Sequence, residues 1–248
     1  MHPFLEGQKF IAFAHRGGGD EAAENTLEAF QYSIDLGYRY IETDVQATSD
    51  GVVVVFHDYD LLRLTGVEGK IADYTWAELQ KFQVHGKGAI PRFDEVLRTW
   101  PEVRFNVDAK VDDVVQPLCK LAKTDNLDRL CLASEYEVRV KHVREEMGRN
   151  LCTAASRGEV VRFLLPAKVG MKPPEIDAHC LQIPPKAFGL STLTRATLGR
   201  AFEMDKPVHV WTIDTAEEMA LLVDKGVGGI MTDRPKVLKS VLESLHVW

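Results

Sequence analysis
The chain has 248 residues, 45% hydrophobic and 27% charged, with a net charge of -7. That size fits one large α/β barrel or two smaller domains, and the acidic balance argues against a general nucleic-acid binder while leaving room for a local Arg/Lys pocket that receives an anion. No apolar run approaches the ~20 residues of a membrane helix, and the first residues lack a basic start followed by an apolar stretch, so no secretory signal is visible and a cytoplasmic location is expected.

Runs rich in β-branched and aromatic residues predict strands at Phe10–Ala14, Arg39–Val45, Val103–Ala109, Arg129–Ala133, Leu151–Ala154, Ala178–Ile183, Val208–Ile213 and Gly228–Thr232. Amphipathic segments predict helices at Thr26–Leu36, Phe93–Thr99, Val114–Lys123, Tyr136–Glu146, Glu159–Leu164, Thr194–Glu203 and Ala216–Lys225, with Pro235–Leu245 as a closing helix. Alternating strand and helix units imply a parallel sheet. Eight such strands favour a closed (β/α)8 TIM barrel, with residues 1–248 as one domain, over an open doubly wound sheet.

One run breaks the alternation. Val52–Phe56 reads as a strand, yet only Ala47–Gly51 separates it from Arg39–Val45. A parallel crossover needs about a dozen residues, so this is an antiparallel β-hairpin, with Ser49-Asp50-Gly51 as its turn. Folded about Asp50 and Gly51, the hairpin pairs Asp44 with His57 and lifts His57 to the C-terminal mouth of the barrel. Asp58 to Pro91 reads as a small insertion (residues 58–91) over that mouth. Within it, Thr75-Trp76-Ala77-Glu78 forms a capping box that opens a short helix.

Acids, histidines and basic residues gather at the predicted strand ends, as at the mouth of a parallel barrel. Glu42 and Asp44 are two apart on a strand and share a face. Two packed carboxylates repel unless a cation or a basic side chain lies between them. Asp108, at the end of another strand, makes a metal credible, and all-oxygen ligands suit one divalent cation, Mg2+ or Ca2+. Lys110 shares a face with Asn106 and Asp108, as an ordinary salt bridge or as a phosphate contact. Arg16 can bind two phosphate oxygens, and Gly17-Gly18-Gly19 lets backbone N–H groups approach closely. His15 and His57 are the proton-transfer candidates. The other six histidines, His209 among them, read as surface or core.

Several positions read structurally. Asn25 and Glu28 suit a helix N-terminus, Asp214 suits the cap of the next helix, and Asp233 with Pro235 reads as a helix start. Trp211 is either a substrate-packing indole or a rim aromatic. Cys119, Cys131, Cys152 and Cys180 are widely spaced with no C-x-x-C pair, so the sequence indicates neither a zinc site nor a redox motif. Each reads as a reduced, buried small hydrophobe.

Taken together, His15-Arg16-Gly17 with Glu24-Asn25-Thr26, Glu42-x-Asp44 followed by Asp50-Gly51 and His57-Asp58, Asp108-x-Lys110, Trp211-Thr212, and the closing Gly226 to Pro235 segment resemble the glycerophosphodiester phosphodiesterases over nearly the whole chain. The resemblance implies a (β/α)8 barrel, a divalent cation, and hydrolysis of a small glycerophosphodiester to glycerol 3-phosphate and an alcohol. It makes His15 and His57 the acid/base pair. Glu42, Asp44 and Asp108 become metal ligands, and Arg16 and Lys110 contact the phosphate. By the same resemblance the nucleophile is the glycerol 2-hydroxyl, giving a cyclic phosphate, with water as the alternative. The chain departs from the family where Asp108 replaces Glu, shortening the side chain by one methylene. It departs also at Asp214, often Asn, and at Ala23, commonly Pro. A lysophospholipase D-like lipid phosphodiesterase, a non-catalytic phosphate-binding barrel and an unrelated barrel isomerase or aldolase are the competing readings.

Overall fold
The computed structural model describes every residue except Gln8, Asn126 and Phe188. The strands are β1 (Ile11–His15), β2 (Tyr40–Ala47), β3 (Val53–Val55), β4 (Arg104–Ala109), β5 (Leu130–Ala133), β6 (Cys152–Thr153), β7 (Leu181–Ile183), β8 (Val208–Val210) and β9 (Gly229–Thr232). All but β3 are parallel, in the spatial order β6-β5-β4-β2-β1-β9-β8-β7, and β3 pairs antiparallel with β2. The two ends of the sheet meet at a parallel bridge between Ala154 and Cys180. There the Ala155 N–H donates to the Cys180 carbonyl at 3.0 Å and the His179 N–H to the Thr153 carbonyl at 2.8 Å. The result is the expected TIM barrel.

Every residue of β2 is buried, as befits a parallel strand covered on both faces. Alternation sends Ile41 and Val45 outward, where they join Phe105, Val107 and Leu132 against helix residues Phe30, Phe93 and Leu118. Across the barrel, Ile183, Val208, Val210 and Ile230 pack on Phe163, Met219 and Leu238. The interior holds a smaller core of Phe13, Tyr40, Cys131, Cys152, Cys180 and Met231, which packs with Phe4 and Leu5 of the N-terminal turn. Truncating a buried aromatic such as Phe13 to Ala costs roughly 3–5 kcal/mol.

Two local expectations need correction. The hairpin pairs Val45 with Val55 and Ala47 with Val53, so Asp44 lies opposite Phe56, whose N–H donates to its carbonyl at 2.9 Å. The expected Asp44–His57 pairing is one residue out of register. The turn is longer than two residues because the Thr48 hydroxyl bonds both Asp50, at 2.5 Å, and the Val52 N–H, at 2.9 Å. The helix expected at Glu159–Leu164 runs instead over Arg157–Lys168. Ser156 and Glu159 form a capping box at its start, and Pro166 falls only in its last turn.

The segment after the hairpin packs on a core of its own, built from Val54, Phe56, Leu61, Leu64, Ile71, Leu79, Val84 and Ile90. The expected capping box at Thr75 and Glu78 opens a one-turn helix, Trp76–Leu79. This lobe is pinned to the hairpin turn by the Ser49 N–H on the Tyr74 carbonyl, at 2.9 Å, and the Trp76 N–H on Asp50, at 3.0 Å.

Candidate active site
Strand register assembles the site. His15 ends β1 opposite Glu42, and Asp44 stands opposite Asp108 on β4. Glu42 and Asp44 are buried, and Asp108 is half-buried. His57 lies just past β3 on the same rim, close enough to Asp44, Arg16 and Lys110 for their charges to act on it.

The acids are too crowded to ionise together. Burial and the charge of Asp44 push the Glu42 carboxyl up to about 8. Burial, partly offset by Lys110, pushes Asp108 up to about 6. Asp44 resists its burial and stays below the usual carboxylate range, because Lys110, His57 and Arg16 surround it. Lys110 Nζ lies 3.1 Å from Asp108 and 3.5 Å from Asp44. Arg16 Nε lies 3.4 Å from Asp44 and is buried without a hydrogen bond.

Each histidine is held at Nδ1 by a carboxylate. His15 Nδ1 is 2.7 Å from Asp233 Oδ1, and His57 Nδ1 is 2.7 Å from Asp58 Oδ1. His15 Nε2 lies 3.6 Å from Glu42 Oε2. Burial works against a charge on His15, but Glu42 and Asp233 outweigh it and raise the imidazole to about 9. On His57 burial wins, and the imidazole falls below its usual value despite Asp44 and Asp58.

The model of the glycerophosphoryl diester phosphodiesterase family matches residues 15–237. The chain belongs to that family. It is 31% identical to a probable glycerophosphodiester phosphodiesterase 2 of Mycobacterium tuberculosis, over 99% of this chain and 95% of the other. It is 28% identical to the human lysophospholipase D GDPD1, over 96% of this chain and 88% of the other. A phosphodiesterase of Oleispira antarctica, solved with the product sn-glycerol-3-phosphate, shares its fold with a TM-score of 0.78 at 19% identity, covering 94% of this chain and 96% of that one.

For a member of this phosphodiesterase family, the acids fit a hard cation. The charge of Asp44 raises both Glu42 and Asp108, so the group calls for positive charge, and oxygen donors suit Mg2+ or Ca2+. Their oxygens are not all within 4.8 Å of one another, and Lys110 stands between two of them. Among the described residues Glu24, His57 and Asp58 do close to 4.8 Å. Arg63 already neutralises that group, bonding Asp58 at 2.6 Å and Glu24 at 2.8 Å.

Other expectations change. The Gly17 and Gly18 amides are spent on the Ala14 and His15 carbonyls, at 3.3 and 2.8 Å, so they do not form a phosphate cradle. These glycines are needed instead for positive φ and for close packing, since a Cβ would stand 2.7 Å from Phe30 at Gly17 and 2.7 Å from Pro235 at Gly18. Thr26, not Asn25, caps the first helix. Asn25 turns inward to donate to Asp44 Oδ2 at 2.9 Å and accept from the Thr43 hydroxyl at 2.8 Å. Thr215 caps the helix after Asp214, and Asp214 accepts from the Asp233 N–H at 2.8 Å, fixing the loop that presents Asp233. Trp211 is half-buried against the interior core. Of the residues missed, Asn25 and Asp233 lay within quoted motifs but read as helix-terminus residues. Arg63 carried no local signal.

Proposed function
We propose that the protein hydrolyses small glycerophosphodiesters to glycerol 3-phosphate and an alcohol, with His15 and His57 as the acid/base pair. The observation that carries this reading is the pair of carboxylate-anchored imidazoles at one rim with three acids and two cations, Arg16 and Lys110.

Glu42, Asp44 and Asp108 would hold a divalent cation, which supplies positive charge to a non-bridging phosphoryl oxygen and acidifies the attacking hydroxyl. Arg16 presents a buried Nε–H with no hydrogen-bond acceptor, a ready donor for a second phosphoryl oxygen. Lys110 adds a point charge beside it. One imidazole Nε2 takes the proton of the attacking hydroxyl and the other protonates the departing alkoxide; where that hydroxyl is the glycerol 2-OH, water then opens the cyclic phosphate with the two roles exchanged, giving glycerol 3-phosphate. Asp233 and Asp58 hold the two rings in place through Nδ1. Glu42 and Asp233 raise His15 while burial lowers His57, a separation that supports opposite proton-transfer roles.

A water-borne ester suits the rim better than a bilayer lipid. The apolar residues of the lobe are largely spent on its own core, leaving Tyr59 and Leu62 as its exposed large ones. Among the described residues no helix is long and apolar enough to cross a membrane. Release of glycerol 3-phosphate from glycerophosphocholine, compared with attack on lysophosphatidylcholine, tests the proposal. Metal-dependent turnover of the first is expected to exceed that of the second, and a preference for the lysolipid would overturn it.

A further inference from the structure
The barrel interior carries a second constellation, of different chemistry. Cys131 and Cys152 are register partners on β5 and β6, and Cys180 meets β6 at the seam that closes the barrel. All three are free and buried, and their sulfur atoms lie within 4.8 Å of one another. His209, on β8, is completely buried, and neither ring nitrogen has a hydrogen-bond partner. It lies beside Cys180, just outside the trio that closes to 4.8 Å. Gln182 Nε2 approaches Cys180 Sγ at 3.9 Å and donates to Asn106 at 2.6 Å. Asn106 is the register partner of Glu42, so this amide pair adjoins the strand positions that carry the acids.

We propose that Cys131, Cys152, Cys180 and His209 form a closed site for a thiophilic cation, zinc foremost, taken up as the barrel folds. Zinc–thiolate bonds of about 2.3 Å place tetrahedral thiolates roughly 3.8 Å apart, a modest contraction of the three sulfurs, and the His209 ring would swing toward them to complete the set. Three sulfurs and one imidazole nitrogen are the donor set of a closed structural zinc site and a poor one for Mg2+ or Ca2+. On binding, the three thiols lose their protons to solvent and the neutral imidazole donates a lone pair. The Gln182 amide then serves as a hydrogen-bond donor to a metal thiolate. Small apolar filling of the barrel explains three cysteines, but not a buried imidazole with both nitrogens unbonded. Sequence spacing hid the group because its members come from three strands and the bridge residue that precedes a fourth.

The full-length protein, produced with zinc and dialysed exhaustively against EDTA, is expected to retain about one zinc per chain. The chelator removes any cation from the oxygen site at the rim. Refolded with Co2+ in place of zinc, the protein is expected to show thiolate-to-cobalt charge-transfer absorption, which carboxylate ligation does not give. Cys180→Ser should abolish that band and His209→Gln should shift it. The wild-type measurement decides the matter even if a variant fails to fold. Wild-type protein that folds without retaining zinc, and that refolds with Co2+ without the band, overturns the proposal.

Discussion
His15 and Asp233 are 218 positions apart in the chain, yet the imidazole Nδ1 and the carboxylate Oδ1 are 2.7 Å apart. The first and last barrel strands are neighbours, Ala14 opposite Thr232, so closing the barrel brings the two ends of the chain to one imidazole ring. Gly19 makes room, since a Cβ there would stand 2.9 Å from Asp233 Oδ1.

Asp233→Asn keeps the shape but removes the charge. The His15 pKa is expected to fall from about 9, and kcat to fall by at least about tenfold. The raised value also links to stability. Its contribution is fully present below the unfolded value of 6.5 and is lost as pH rises through about 9. Asp233→Asn should flatten that loss. NMR titration of His15 and unfolding at a series of pH values check both, and identical profiles for the two proteins would contradict the account.

Cation binding should release protons. Before binding, Glu42 titrates at about 8 and Asp108 at about 6, and a ligating carboxylate must be ionised. Apparent affinity for Mg2+ or Ca2+ is therefore expected to rise with pH up to about 8. Calorimetry in buffers of different ionisation enthalpy measures the release. Chelation should abolish turnover, and added cation should restore it.

Arg63 is the strut between the lobe and the barrel. Its guanidinium bonds Asp58, which holds His57, and Glu24, which holds Arg16 at 3.0 Å. Arg63→Ala should lower kcat by roughly tenfold through misplacement of His57. Arg63 is half exposed, so the stability loss should stay below about 1 kcal/mol. Asp58, now at about 2 mainly through its Arg63 hydrogen bond, should titrate higher. Its depressed value stabilises the fold above 3.8 and loses that contribution as pH falls through about 2, so the variant should lose less on acidification. Lysine at this position cannot fork between two carboxylates and should not restore turnover.

Asn25 tests the support beneath the acids. Asn25→Gly removes its hydrogen bonds to Asp44 and Thr43 while tolerating the left-handed backbone, φ 57, and should cost about 1–3 kcal/mol. Asn25→Ala should cost more, because alanine adds backbone strain there. Chemical denaturation of the two variants measures the difference.

Much of this was legible in the sequence, because periodicity is local. The barrel strands and the hairpin each announce themselves within a dozen or so residues, and Glu42 and Asp44 share a face by strand alternation alone. The hairpin register escaped because the Thr48 hydroxyl lengthens the turn. Asp233 and Arg63 escaped for a common reason. Each matters through a contact set by strand order and barrel closure, which spacing along the chain does not encode.

The central claim is that His15 and His57 act on one phosphodiester. Turnover of glycerophosphocholine by His15→Ala, His57→Ala and the double variant measures it most directly. Each single change is expected to lower kcat by roughly 100- to 10,000-fold with the fold intact by circular dichroism, and the double change to add little. A folded single variant that turns over at the wild-type rate would contradict it.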